Sequence, residues 1–400
     1  MHRVARGVGE RSEDGIVAVD PRPQTEKAAQ PVWPPTLSIH LRFRPSVAFL
    51  GILAEMNAQF SDWTDGSYDW ADQTVDFLHS KKPLPDFGEA FLRTPLSQRA
   101  LRDLLQLAIA LLSGEYLAVR NYLQHSHFVL VIGYPRSGGS YLTKELLRTI
   151  GLDHTRVSEA LAHDGFPQMR DHWYIPNGPQ PYFHLQDAVF QVAEFLVIAH
   201  LYYRHKSVCQ PNGTWLIPKK MHKLVYWAGS FKMLLGKGAA DYLVTVRHPV
   251  PTAVSIYEKS GGLPSDGLFP AAKPRSAIEL WVRDDLVWIG YSLDEIARMK
   301  YFRAVEISWT AFYTRMASSG LFLGDRDEIR FIPYGREALE GVVNQYRTHY
   351  GSQRPAESFF IHDKSGTVPP ECLIEGDAAV ASVRALWRSL GLVFPSLSWS

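Results

Sequence analysis

A short apolar run that empties into a glycine-rich loop and then a helix constrains this chain more than any other feature. Phe128-Val129-Leu130-Val131-Ile132 is apolar throughout, as expected of a strand buried on both faces of a parallel sheet. It runs into Gly133-Tyr134-Pro135-Arg136-Ser137-Gly138-Gly139-Ser140. Leu142, Leu146, Leu147 and Ile150 then fall on one side of a helix, with Gly151 placed to stop it. Strand, glycine loop and helix in that order is how α/β proteins hold phosphate, with backbone N–H groups and the positive end of the helix turned to the anion. Further apolar runs at 215–217, 242–246 and 302–307 predict more strands, with helical stretches between them. The expected fold is a three-layer α/β/α arrangement with a central parallel sheet of the P-loop type, preceded by N-terminal helices.

The spacing Gly133-x4-Gly138 is that of the nucleotide triphosphatase loop, but Gly139 stands where that loop carries its lysine, followed by Ser140. A cation, Arg136, sits inside the loop instead. The alternative is a glycine-rich turn that holds no ligand. A second site follows the run at 242–246, which ends in Arg247-His248-Pro249, with Ser255 eight residues beyond the arginine. A guanidinium suits phosphate because its fork donates two parallel hydrogen bonds. The alternative is an arginine paired with a carboxylate at the sheet edge. Between these two blocks the run at 215–217 leads to Lys219-Lys220-Met221-His222-Lys223. A histidine at a strand's carboxyl end suits proton removal near neutral pH. The alternative is a surface histidine among solvated lysines.

Composition closes off several classes. A net charge of +1, from 42 basic and 41 acidic residues, argues against bulk nucleic-acid binding and leaves room for a local anion site. Two cysteines, Cys209 and Cys372, make no disulfide framework, and no Cys/His spacing points to a metal, so a reducing, cytoplasmic setting is expected. Residues 1–38 lack an apolar core of the signal-peptide kind and read as a flexible arm. The stretches nearest to membrane spans, 101–119 and 188–203, are interrupted by Arg102, Asp103, Glu115, Glu194 and His200. Residues 39–125 read as a helical extension packed on the catalytic domain, with helices over 46–60 and 100–123 and an irregular connector over 62–95. Residues 126–400 read as the α/β domain. Within it, 259–274 is the most loop-like stretch, either a lid or a surface excursion, and a terminal helix is expected over 378–390.

The segment Tyr134–Tyr141 resembles the 5′-phosphosulfate loop of the PAPS-dependent sulfotransferases, whose donor is 3′-phosphoadenosine-5′-phosphosulfate. That loop commonly reads Tyr-Pro-Lys/Arg-Ser-Gly-Thr-Thr-Trp/Leu. This chain departs from it at Gly139 and Tyr141 and keeps a hydroxyl at Ser140. Arg-x-Pro with a serine eight residues after the arginine resembles the family's 3′-phosphate site, here Arg247 and Ser255. Lys220-Met221-His222 is similar to the Lys-x-His of the cytosolic branch. The likeness covers roughly residues 128–260. It implies His222 as general base, Lys220 as the cation that offsets charge on the departing phosphate, and Arg136 as a catalytic and donor-binding cation. It also implies donor binding by Tyr134, Pro135, Ser137, Gly138, Gly139, Ser140 and Tyr141, the last stacking on adenine. Lys364 corresponds to the family's late basic loop. Other branches use a carboxylate base, which makes Glu159 and Asp164 rivals to His222. The aromatic segment 166–186 either lines an acceptor pocket or is core and loop. The implied reaction is sulfuryl transfer, without a metal, to a hydroxyl or less commonly an amine of a small molecule, carbohydrate, lipid or peptide. Two other classes stay open: a nucleotide-dependent phosphotransferase with a degenerate loop, and a non-catalytic protein that binds PAP (the 3′,5′-bisphosphate product) or phosphate.

Overall fold

The computed structural model describes residues 45–57, 88–163, 185–209, 212–226, 228–324, 326–352, 356–361 and 368–397. The expected arm over 1–38, the connector up to residue 87, Asp164, most of 166–186 and Lys364 lie outside the described residues. The first helix, α1 (Val47–Glu55), is capped by Ser46, whose Oγ accepts from the Phe49 N–H at 3.0 Å. Thr94 caps α2 (Pro95–Ser113) in the same way, with Pro95 at a position where its missing N–H costs nothing. Gly114 ends α2 at φ 74°, in the left-handed region, and α3 (Tyr116–Tyr122) begins after it. The single helix expected over 100–123 is therefore two, broken at the glycine.

The strand β1 (Ser126–Gly133) leads through the glycine loop into α4 (Gly139–Thr149), and Gly151, at φ 84°, follows the end of that helix as expected. Then come α5 (Glu159–Ala162), α6 (Leu185–Lys206) and β2 (Trp215–Lys220). A 3₁₀ turn (His222–Tyr226), α7 (Ala228–Leu235), β3 (Ala240–Val246) and α8 (Pro249–Lys259) complete the segment that carries the motifs. The C-terminal part holds α9 (Ala277–Trp288), α10 (Tyr301–Ser318), β4 (Ile329–Pro333), α11 (Arg336–His349) and α12 (Pro370–Ser389). Short helical turns at Glu89–Leu92 and Leu293–Ala297 are not labelled.

The described strands form one four-stranded sheet in the order β2-β1-β3-β4, every neighbouring pair parallel. Side chains alternate between the two faces of a strand, and helices meet both. On one face Phe195 of α6 sets its ring 6.2 Å from that of Phe128 and 4.5 Å from the Lys219 ammonium. On the other face α4 approaches so closely that a Cβ on Gly139 would lie 3.4 Å from Val131 Cγ1. The chain is thus α/β with an all-parallel sheet and helices against both faces. None of the described helices is long and apolar enough to cross a membrane.

One expected strand is wrong. Residues 302–307 belong to α10, because the apolar positions continue past the short run at helical spacing. Phe302, Val305, Trp309, Phe312 and Met316 are all buried along one side. The fourth strand is Ile329–Pro333 instead, an edge strand whose residues are mostly only half buried. Its exposure explains why no continuous apolar run marks it.

Candidate active site

Three adjacent strands deliver the motif residues to one edge. β1 is central, the chain leaves it to reach β2 on one side, and from β2 it crosses over to β3 on the other. Loops after β1 and β3 therefore diverge, and a crevice opens at the carboxyl ends of the strands, where open α/β sheets bind ligands. The register sets Gly133 beside Thr245 and Val131 beside Lys220, so the glycine loop, Lys220-Met221-His222 and Arg247 all emerge at the same level.

The loop is braced from below. Tyr134 is fully buried, with its ring against Trp281 and Phe312, and its hydroxyl donates to Ser308 Oγ at 3.0 Å. Ser308 in turn donates to Asp285, which also accepts from Tyr226 and pairs with Arg315. One buried carboxylate thereby links the loop to the 3₁₀ turn that carries His222. Ser137 is also internal, donating to the Tyr134 carbonyl at 2.6 Å and meeting Thr245 Oγ1 at 2.7 Å. Gly133 admits no side chain, since a Cβ would fall 2.6 Å from both Ser137 Oγ and the Thr245 carbonyl. Gly138 adopts φ 98° and starts α4 without any side-chain cap, so the first N–H groups of that helix are left to other acceptors. Ser140 in its first turn is exposed. Arg136 has φ 69°, the one non-glycine in the left-handed region among the described residues. Such strain costs on the order of 1 kcal/mol and gathers at functional loops.

Arg136, Arg247 and Ser255, far apart in the sequence, meet in space. Arg136 Nε donates to Ser255 Oγ at 2.9 Å, and Arg247 donates to the Arg136 carbonyl at 3.2 Å. Ser255 is reached because α8 begins at Pro249, capped by His248, and two turns carry the hydroxyl back to the loop. Arg247 is 3% exposed and lies 3.8 Å over the Tyr334 ring. Its Nε has no hydrogen-bond partner, and no carboxylate lies within ion-pair distance of it among the described residues. The alternative of an arginine neutralised at the sheet edge is not what the described residues show. Burial pulls the Arg247 guanidinium below its ordinary range, with Tyr334 opposing, Arg136 adding to the effect and the more distant Glu258 carboxylate opposing it weakly. Arginine nevertheless keeps its proton in proteins, so the charge stays. A buried cation without an ion-pair partner is costly, and an anion bound beside it would offset that cost.

Lys220 and His222 approach from β2. A Cβ on Gly139 would lie 3.6 Å from Lys220 Cε, so the lysine stem crosses the loop at the position where triphosphatase loops carry their own lysine. Lys219, one residue earlier, points to the opposite face and is fully buried. It donates to the Ala160 carbonyl at 2.8 Å and the His163 carbonyl at 2.7 Å, which anchors the end of α5. The lysines here are thus not one solvated face. His222 is 8% exposed, stacks beside Trp281 at 22° between ring planes and sets Nδ1 against the Gly133 carbonyl. A carbonyl only accepts, so Nδ1 carries the proton, and in the neutral ring Nε2 holds the lone pair a general base needs.

Tyr141 is half-buried in the first turn of α4. It packs against Phe359 at 4.8 Å, and its hydroxyl donates to the Glu357 carbonyl at 2.8 Å. Glu357 also pairs with Lys144 and Arg148, which holds this C-terminal segment on α4. Glu159 begins α5, with its side chain outside the described residues. The loop over 259–274 is tied down, with Phe269 and Ala271 buried and the Phe269 N–H donating to the Met299 carbonyl at 2.9 Å. Trp281 and Tyr334 are the members of this site that sequence reasoning missed. Tyr334 follows β4, and its N–H donates to the Val246 carbonyl at 2.7 Å, so missing that strand meant missing the ring that covers Arg247. No protein-family model, curated protein or solved structure matches this chain.

Proposed function

We propose that this protein is a sulfotransferase that moves a sulfuryl group from PAPS to an acceptor hydroxyl, or less commonly an amine. The observation that carries the reading is Arg247: a buried guanidinium with no carboxylate within ion-pair distance among the described residues, joined to Arg136 and Ser255 beside a glycine loop. The residues present fit a donor with two separate anionic groups. The uncapped start of α4, Arg136 and Ser140 would take the 5′-phosphosulfate, and Arg247 with Ser255 would take the 3′-phosphate. Gly139 leaves room for Lys220 to reach the same loop from the neighbouring strand.

Sulfuryl transfer by such a site is in line. The acceptor oxygen forms a bond to sulfur as the bond from sulfur to the 5′-phosphate oxygen breaks, and PAP leaves. His222 Nε2 takes the acceptor proton, while its Nδ1–H on Gly133 fixes the ring. Lys220 and Arg136 offset the charge that grows on the departing phosphate oxygen. A sulfuryl group carries less charge than a phosphoryl group, so protein cations suffice where phosphotransferases recruit Mg²⁺.

The test is turnover. The purified chain is incubated with PAPS and a library of phenols, sugars, lipids and peptides in EDTA, and PAP release is followed with the acceptor mass. Acceptor-dependent PAP release that survives EDTA supports the reading. PAP binding without release under any acceptor favours a non-catalytic binding protein, and Mg²⁺-dependent use of ATP favours a phosphotransferase.

A further inference from the structure

At the opposite, amino-terminal edge of the sheet lies a cavity of about 840 Å³. It is bounded by the first residues of β1, β3 and β4, by the loop after α7 and by the last turns of α11. At about 3.3 Å per residue along β1, it stands about 23 Å from the glycine loop, so it belongs to no part of the site described above. Its volume falls in the range that takes a metabolite-sized ligand.

The charges around it are unequal. Arg120, Lys237 and Arg330 face a single lining carboxylate, Asp241. Asp241 is met by His127 Nε2 at 3.3 Å and by the Tyr346 hydroxyl, and Arg330 acts on it from beyond ion-pair distance. Arg120 spends its donors on the Met233 and Leu234 carbonyls at the end of α7. Arg330 is different. It donates to Gln345 Oε1 at 2.7 Å and to the Tyr346 hydroxyl at 3.1 Å, both neutral, and no carboxylate lies within ion-pair distance of it among the described residues. Arg330 is also only part-buried, and it lines the same cavity as His349 and Lys237.

We propose that this cavity binds a small anionic ligand bearing a phosphate or carboxylate group, with Arg330 as its principal contact. A guanidinium 5.4 Å from the Tyr346 ring centroid and pinned by two neutral acceptors is oriented in advance, which lowers the entropy lost on gripping an oxyanion. The adjoining loop turns through two left-handed glycines, Gly236 at φ 83° and Gly238 at φ 77°, with Lys237 between them, and its Gly238 N–H donates to Glu328 Oε1. The site is independent of the sulfotransferase reading and stands whether or not that reading does.

Pyrophosphate and citrate serve as the phosphate and carboxylate probes, titrated calorimetrically into the full chain carrying Arg247→Met, which removes one carboxyl-edge cation and leaves Arg136 and Lys220 common to both arms of the comparison. Adding Arg330→Gln should weaken whichever probe binds about tenfold or more, as expected for loss of a charge-assisted contact. Hydrogen exchange on the wild-type chain reads the same point without a variant: the probe should protect 236–239 and 345–350. Protection confined to 133–141, an Arg330→Gln affinity within twofold of its parent, or no saturable binding of either probe at millimolar concentration would each overturn the proposal.

Discussion

Replacing Arg247 by methionine separates a binding cation from a structural one. An arginine in a buried ion pair costs about 3–5 kcal/mol when removed, because its partner is stranded. Arg247 strands no carboxylate. The substitution gives up one charge-assisted hydrogen bond to the Arg136 carbonyl, about 1.5–3 kcal/mol, and the contact with the Tyr334 ring, about 2 kcal/mol. It relieves the burial of a charge that has no ion-pair partner among the described residues, worth several kcal/mol, and methionine fills much of the vacated space. The terms nearly cancel, so the ligand-free variant should unfold in urea within about 1–2 kcal/mol of the wild type. PAP affinity measured by calorimetry should meanwhile fall by about one to two orders of magnitude, with AMP affinity nearly unchanged. A variant destabilised by more than about 3 kcal/mol would mean that Arg247 has a structural counter-ion. Equal losses for PAP and AMP would mean that it does not read the 3′-phosphate.

The base assignment predicts that His222→Ala lowers kcat by about 10²–10⁴-fold while PAP affinity holds, and that Glu159→Gln and Asp164→Asn do not; steady-state rates on folded variants check this, and the reverse pattern moves the base to a carboxylate. Glu306 supplies a pH test: burial, aided by Glu375, pushes its carboxyl up to about 7, and neither of its oxygens has a hydrogen-bond partner. A carboxyl raised in the folded state is neutral there while ionised in the unfolded chain, so stability falls as pH rises from about 4.5 to about 7 and then levels. At about 1.36 kcal/mol per unit that loss is about 3 kcal/mol. Glu306→Gln should remove this slope, so the variant gains on the wild type across that window in urea unfolding, and parallel curves would refute it. Gly133→Ala should destabilise the chain by several kcal/mol, because backbone and Thr245 fill the space around it; a melting temperature within a degree or two of the wild type would contradict that packing.

The parts of the fold that announced themselves were those buried on both sides. β1, β2 and β3 are continuous apolar runs because helices cover each face, and their ends carry the charged residues that mark a site. β4 stays half exposed, unlike β2 at the other edge, so its pattern is mixed, and the run at 302–307 resembled a strand only within a window too short to show its helical period. The meeting of Arg136 with Ser255 is not readable from spacing, since their separation of 119 in sequence includes a crossover that only the sheet order resolves. Lys219 and Lys220 look equivalent in sequence. Strand alternation sends one to carbonyls at the end of α5 and the other to the glycine loop, a distinction that follows once β2 is placed in register with β1.

A crystal structure of the chain with PAP tests the sulfotransferase reading most directly. The expected density places the 5′-phosphate against the start of α4 within hydrogen-bond distance of Arg136, and the 3′-phosphate on Arg247 and Ser255, with Arg136 turned from the serine it touches in the free chain. PAP bound elsewhere, or with its 3′-phosphate in solvent and Arg247 untouched, would contradict it.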